Sequence, residues 1–158
     1  MDIGCGIGLI DIFINNHYKN CEKFYLLDKN SIDNKVVYGF SENYESYNLN
    51  NITKNFLINN NIKESKLNLI DVDSEFYIKH HSIDLCISLV SMGYHYPLSI
   101  YLETIKDVST ENTVFIFDIA TEYQHLDNVK KHFGKVEIIE TIDSKHPRFR
   151  IACYNIIK

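Results

Sequence analysis

The stretch Met1-Asp2-Ile3-Gly4-Cys5-Gly6-Ile7-Gly8, running into Leu9-Ile10-Asp11-Ile12-Phe13-Ile14, carries the reading of the chain. Asp2-x-Gly4-x-Gly6-x-Gly8 has the form of a strand end, a tight turn and a helix start. Glycine adopts backbone conformations closed to other residues and leaves room where a Cβ would intrude. Such a turn therefore brings main-chain amides and a helix N-terminus up to a ligand. Leu9, Ile10, Phe13 and Ile14 recur at helical spacing and predict a broad apolar face on a helix that fades at Asn15-Asn16 or by Asn20.

A dinucleotide fingerprint requires a third glycine or an alanine three positions after the second, and counted from Gly4 and Gly6 that position is Leu9. The pattern is G-x-G-x-G instead. In this it resembles the first motif of the class I S-adenosylmethionine-dependent methyltransferases, where an acid precedes the glycines as Asp2 precedes Gly4, Gly6 and Gly8. The resemblance implies a Rossmann-like α/β fold over 1–158, a mostly parallel sheet with an antiparallel terminal strand and flanking helices. It implies S-adenosyl-L-methionine as cofactor, its amino acid part against Asp2, Gly4, Cys5 and Gly6, with the Asp2 carboxylate orienting its amino group. Gly8 is assigned to close helix packing. A strand of about five residues ordinarily leads into such a turn, and here Met1, Asp2 and Ile3 stand before it. The expectation is a truncated first strand, leaving its neighbours short of hydrogen-bond partners and apolar cover.

Composition narrows the class. The 158 residues suit one domain able to bury about two thirds of its extended surface. An apolar fraction of 45% and an aromatic fraction of 13% argue against disorder. With 16 basic and 21 acidic side chains the formal charge is -5, and no cluster of five Lys and Arg occurs, so nothing points to a phosphate backbone as partner. Cys5, Cys21, Cys86 and Cys153 are widely spaced and read as buried free thiols, forming neither a zinc pattern nor a disulfide framework. No signal peptide precedes the first motif, and no apolar run approaches the ~20 residues of a membrane span. The expectation is a soluble protein of a reducing compartment, the cytoplasm.

Beyond the first helix, Lys23-Phe24-Tyr25-Leu26-Leu27 reads as a buried strand ending at Asp28, twenty positions past Gly8. An acid there can accept both ribose hydroxyls of an adenosine-containing ligand, and the distance is that of one strand-helix-strand unit. Ser31 to Asn51, with Tyr38, Phe40, Tyr44 and Tyr47, reads as irregular or partly helical cover. Ile52, Phe56 and Leu57 predict a helix stopped by Asn59-Asn60-Asn61, and Leu67 to Ile70 a third strand. The resemblance puts an acid beyond that strand near the adenine amino group; Asp71 is preferred over Asp73, with Val72 between them, and either acid instead fits as the cap of a short helix over Ser74 to Ile78. Ser82 to Val90 is a nearly continuous apolar strand, and Asp84-Leu85-Cys86-Ile87 within it resembles the family's fourth-strand motif.

Function is expected to concentrate in the following loop, Ser91-Met92-Gly93-Tyr94-His95-Tyr96-Pro97, because ligands of open α/β sheets sit outside the carboxyl ends of strands, near the glycine turn. Ser91 is assigned to the cofactor. His95 is the candidate base, since imidazole titrates near neutrality, while Tyr94 and Tyr96 orient an acceptor. The same three residues equally read as loop packing. Leu98, Tyr101, Leu102 and Ile105 predict a buried helix face, Thr113 to Ile119 a strand, and Leu126, Val129 and Phe133 a helical stripe ending at Gly134. Two final strands, Lys135 to Ile142 and Phe149 to Ile157, form an antiparallel pair, with Lys145, His146, Arg148 and Arg150 as a solvated hairpin surface or an anion contact. No metal spacing is present among the histidines. The reading is methyl transfer to a small-molecule acceptor, with preference for a hydroxyl of a sugar or other metabolite. Its alternatives are a noncatalytic binding or partner subunit and a nicotinamide-dependent oxidoreductase; a homo-oligomer or a completing partner subunit is compatible with either methyltransferase-like form.

Overall fold

A computed structural model describes residues 1–31, 49–93, 96–121, 125–144 and 147–157, which fall into two compact units, Met1–Tyr77 and Ile78–Lys158. The first contains β1 (Asp2–Ile3), α1 (Leu9–His17), β2 (Phe24–Asp28), α2 (Asn50–Asn59) and β3 (Leu67–Asp71). β2 runs between β1 and β3 and parallel to both, with Asp2 opposite Leu26 and Asp28 opposite Asp71. β1 is two residues long, and the amides of Gly4 and Cys5 carry its pairing onward by donating to Leu27 O at 2.7 and 3.2 Å.

The continuous apolar run of β2 is explained by cover on both faces. Phe24 and Leu26 join Leu57 and Ile62 in a buried cluster against which Ile12, Ile14, Phe56, Leu67 and Leu69 pack. α1 departs from expectation. Leu9 and Phe13, one turn apart on the predicted apolar face, are exposed at 54% and 62%, while Ile12 and Ile14 meet the core and Asp11 is its buried residue. The short helix expected over Ser74 to Ile78 is absent: Ser74 N and Oγ both bond Asp71 O, closing a turn, and five residues are too few to nucleate a helix unaided. Tyr38, Phe40, Tyr44 and Tyr47 lie outside the described residues.

The second unit contains β4 (Ile83–Ser88), a 3-10 turn at Leu98–Ile100, α3 (Leu102–Val108), β5 (Ser109–Ala120), α4 (His125–Lys130), β6 (Phe133–Ile142) and β7 (Arg148–Ile156). β4 and β5 are parallel; β7 is antiparallel to both β5 and β6, giving the order β4-β5-β7-β6. The apolar strand predicted to reach Val90 stops at Ser88, whose hydroxyl accepts the Met92 amide at 2.9 Å, and Val90 turns the chain at φ 64. The face Leu98, Leu102, Ile105 is buried as expected, but Tyr101, at ψ -3, divides its helix into the 3-10 turn and α3. β5 begins earlier than predicted, with Ser109 pairing Ile83 before a bulge. Phe133 belongs to β6 rather than to a helical stripe, and its ring packs on Phe115 and Phe117 at centroid distances of 4.9 and 6.1 Å.

Arg148 and Arg150 are not a solvated surface. Arg150 donates through Nε to Asp118 Oδ1 at 2.8 Å and through Nη2 to Oδ2 at 3.0 Å, and Arg148 Nε reaches Oδ2 at 3.1 Å. Asp118 has no exposed side-chain surface, so two guanidinium groups on β7 neutralise a carboxylate buried on β5. Lys145 and His146 lie outside the described residues.

Candidate functional site

The glycine turn takes the conformation its sequence demands. Gly4, Gly6 and Gly8 stand at φ 74, 55 and 77, in the left-handed region. Their surroundings separate their uses. A Cβ on Gly8 would lie 2.9 Å from the Leu57 side chain, so Gly8 lets α1 approach α2. Among the described residues a Cβ on Gly6 would meet nothing within 4 Å, which leaves the main chain open to them on that side. Thr53, buried on α2 one turn before Leu57, donates from its hydroxyl to Gly6 O at 2.8 Å and holds the turn in place.

Asp28 meets this turn directly. Its Oδ2 accepts the Gly6 amide at 2.6 Å, its Oδ1 accepts the Lys29 amide at 2.7 Å, and its carbonyl accepts the Val72 amide at 3.1 Å. Asp71 sits beside Asp28 across the β2–β3 pair; its Oδ1 accepts the amides of Asp73 at 3.1 Å and Asn30 at 3.4 Å, whereas the Asp73 carboxylate pairs with Lys29 Nζ at 3.4 Å. Asp2, Gly4, Cys5, Gly6, Asp28, Asp71 and Val72 are thus brought together at the carboxyl ends of three parallel strands. The Cys5 side chain packs against the β2 core, and burial, with the charges of Asp2, Asp28 and Asp11, pushes its thiol far up, so it stays protonated.

Asp11 is the residue the sequence reading missed. Asp2 and Asp11 are 3% and 2% exposed and hydrogen-bonded to each other. Burial, followed by the Asp11 charge, raises the Asp2 carboxyl well above the ordinary range. Burial also lifts Asp11 to about 6, against the opposing effect of its bond to Asp2. Among the described residues its Oδ2 has no hydrogen-bond partner, an arrangement that costs about 1–3 kcal/mol. The signal was an acid between Ile10 and Ile12 in an otherwise apolar run.

In the second unit, Ser91 and Tyr96 close a loop. Tyr96 N donates to Ser91 O at 3.2 Å, Gly93 N to Tyr96 O at 2.6 Å, and Ala120 N to Gly93 O at 3.2 Å. Gly93 takes φ 81 with the Ile119 side chain where a Cβ would stand, so the loop lies against the end of β5. Tyr94 and His95 fall outside the described residues. Among the described residues no group of three His, Cys, Asp or Glu side chains is placed to hold a metal.

No protein-family profile and no curated protein matches the chain. Solved structures do. Precorrin-6y C5,15-methyltransferase from Geobacter metallireducens GS-15 superimposes on 98% of this chain and 78% of its own at TM-score 0.59 and 15% identity. Ribosomal protein L11 methylase from Lactobacillus delbrueckii subsp. bulgaricus does so over 98% and 68% at TM-score 0.55 and 15% identity. TYW2 from P. horikoshii, in complex with MeSAdo, matches over 97% of this chain and 55% of its own at TM-score 0.54 and 14% identity. These likenesses show that the chain has the fold of the class I S-adenosylmethionine-dependent methyltransferases.

Proposed function

We propose that the chain binds S-adenosyl-L-methionine and transfers its methyl group to a small-molecule acceptor. One observation supports the cofactor above the others: the Asp28 carboxylate and the open Gly6 main chain meet within a single hydrogen bond of 2.6 Å. A carboxylate there is placed for ribose hydroxyls, and the adjoining turn admits a ligand where any side chain would intrude. Asp2, Gly4 and Cys5 are assigned to the amino acid part, Asp71 and Val72 to the adenine side, and Ser91 to the edge of the methyl-bearing region. The bound TYW2 structure adds a relative of the same fold holding an adenosyl thioether.

When bound, the cofactor supplies an electrophilic methyl group. His95 is assigned to take the proton of an acceptor hydroxyl, with Tyr94 and Tyr96 orienting that acceptor; a sugar or other hydroxylated metabolite fits these groups. Calorimetric titration tests the reading. S-adenosylmethionine and S-adenosylhomocysteine bind saturably, and Asp28→Ala weakens both by about 10- to 100-fold as the hydroxyl contacts are lost. Absence of saturable binding at millimolar ligand overturns it, as does binding of NADH alone. His95→Ala slows turnover with little change in cofactor affinity; unchanged turnover across neutral pH removes His95 as the base.

A further inference from the structure

The glycine motif accounts for one carboxyl beneath the turn, and the structure contains two. Asp11 stands three positions past Gly8 in the first turn of α1, with its amide bonded to Gly8 O at 3.2 Å. It is buried, its carboxyl bonds that of Asp2, and among the described residues its Oδ2 has no partner. Ile12 and Ile14 of the same helix pack on the core cluster, and an apolar residue would satisfy packing at position 11 with less desolvation cost than an acid. The other titratable groups that bear on the pair are the Asp28 carboxylate from β2, the Cys5 thiol in the turn and the Met1 amino group. A buried acid pair with an unanswered oxygen, beside the glycine turn, is suited to receive a cation.

We propose that Asp2 and Asp11 together form the seat for the ammonium group of the bound methyl donor, and that filling this seat drives a proton off the pair. The proposal rests on the cofactor reading above and adds to it a second carboxyl and a coupled proton. Asp11 acts as a positioning residue: it shares the Asp2 proton and carries the charge that the ammonium meets. Because Asp11 titrates at about 6, the pair is neutral below that pH and must release one proton to solvent as the ammonium enters. Above it, the pair already holds one negative charge and one proton. The ligand's own ammonium stays protonated, and its carboxylate ionised, throughout pH 5 to about 7.

Two ligands isolate the effect. S-adenosylhomocysteine carries the ammonium, and 5′-methylthioadenosine shares its adenosyl thioether without it. Isothermal titration of the wild-type chain, in buffers of different ionisation enthalpy, is expected to show S-adenosylhomocysteine binding about tenfold more weakly at pH 5 than at pH 7, with about one proton released at pH 5 and close to none at pH 7. Methylthioadenosine affinity is expected to change by less than about twofold over the same range. Asp11→Asn moves the midpoint of the first ligand's pH dependence, because the buried Asp2 carboxyl then titrates alone, while leaving the second ligand unchanged. A pH dependence common to both ligands, or one whose midpoint Asp11→Asn leaves unmoved, overturns the proposal even though both ligands bind. Failure of both ligands to bind overturns the cofactor reading, and this inference with it. Should Asp11→Asn fail to fold, the two-ligand comparison on the wild-type chain decides alone.

Discussion

Asp11 and Asp28 are acids of the same chemistry in opposite circumstances, one sealed under α1 with an unpartnered oxygen, the other accepting two main-chain amides. The difference is measurable. The folded Asp11 carboxyl titrates at about 6 against an ordinary 3.8, so the native state holds this proton more tightly than the unfolded chain. Its ionisation therefore lowers stability as pH rises from about 4 to about 6. Asp11→Asn removes that loss: urea unfolding is expected to show the variant more stable than wild type by on the order of 1–3 kcal/mol at pH 7, and within about 0.5 kcal/mol at pH 4. The glycines make a second residue-scale contrast. Alanine at Gly6 or Gly8 bears the left-handed strain of about 1–2 kcal/mol, but at Gly8 it also displaces Leu57, worth about 1 kcal/mol more. Gly6→Ala instead fills the open side of the turn. Its expected signature is a loss of S-adenosylhomocysteine affinity of at least about tenfold in calorimetry, beyond the stability cost.

Among the elements, the pairing of β5 with β7 is closed by a charge cluster that strand propensity does not reveal. Asp118→Asn leaves Arg148 and Arg150 without their shared carboxylate, and the expected loss is about 3 kcal/mol in urea unfolding. Arg150→Lys, which keeps the charge but not the paired donation from Nε and Nη2, should lose about 1 kcal/mol. Element boundaries were legible where the apolar pattern was long: β2, α2, β3, β6 and β7 stand within a few residues of expectation. They were misread where side chains bond the main chain locally. Asp71 and Ser74 close a turn in place of a helix, Ser88 ends β4 early, and Thr110 N bonds Thr113 Oγ1 where a connection had been expected and β5 begins. Such bonds compete with regular structure over two to four residues, too few for a periodicity to register.

At the scale of the molecule, a formal charge of -5 and the lack of a basic cluster set an expectation for partners. A 20-nucleotide single-stranded RNA, followed by fluorescence anisotropy at about 50 mM salt, should show no saturable binding below about 100 µM chain. Among the described residues no helix is long and apolar enough to cross a membrane. The fold class was decided within the sequence: left-handed glycines between a strand and a helix, an acid one strand-helix-strand unit later, and the final pair of strands all depend on chemistry between near neighbours. Which face of α1 is buried, the union of Asp2 with Asp11, and the closure of Arg148 and Arg150 on Asp118 were decided only by tertiary structure. The physical reason is distance along the chain. The two arginines stand 30 and 32 residues from their carboxylate, and a charged side chain among apolar ones carries no local mark of whether water or a distant partner will satisfy it.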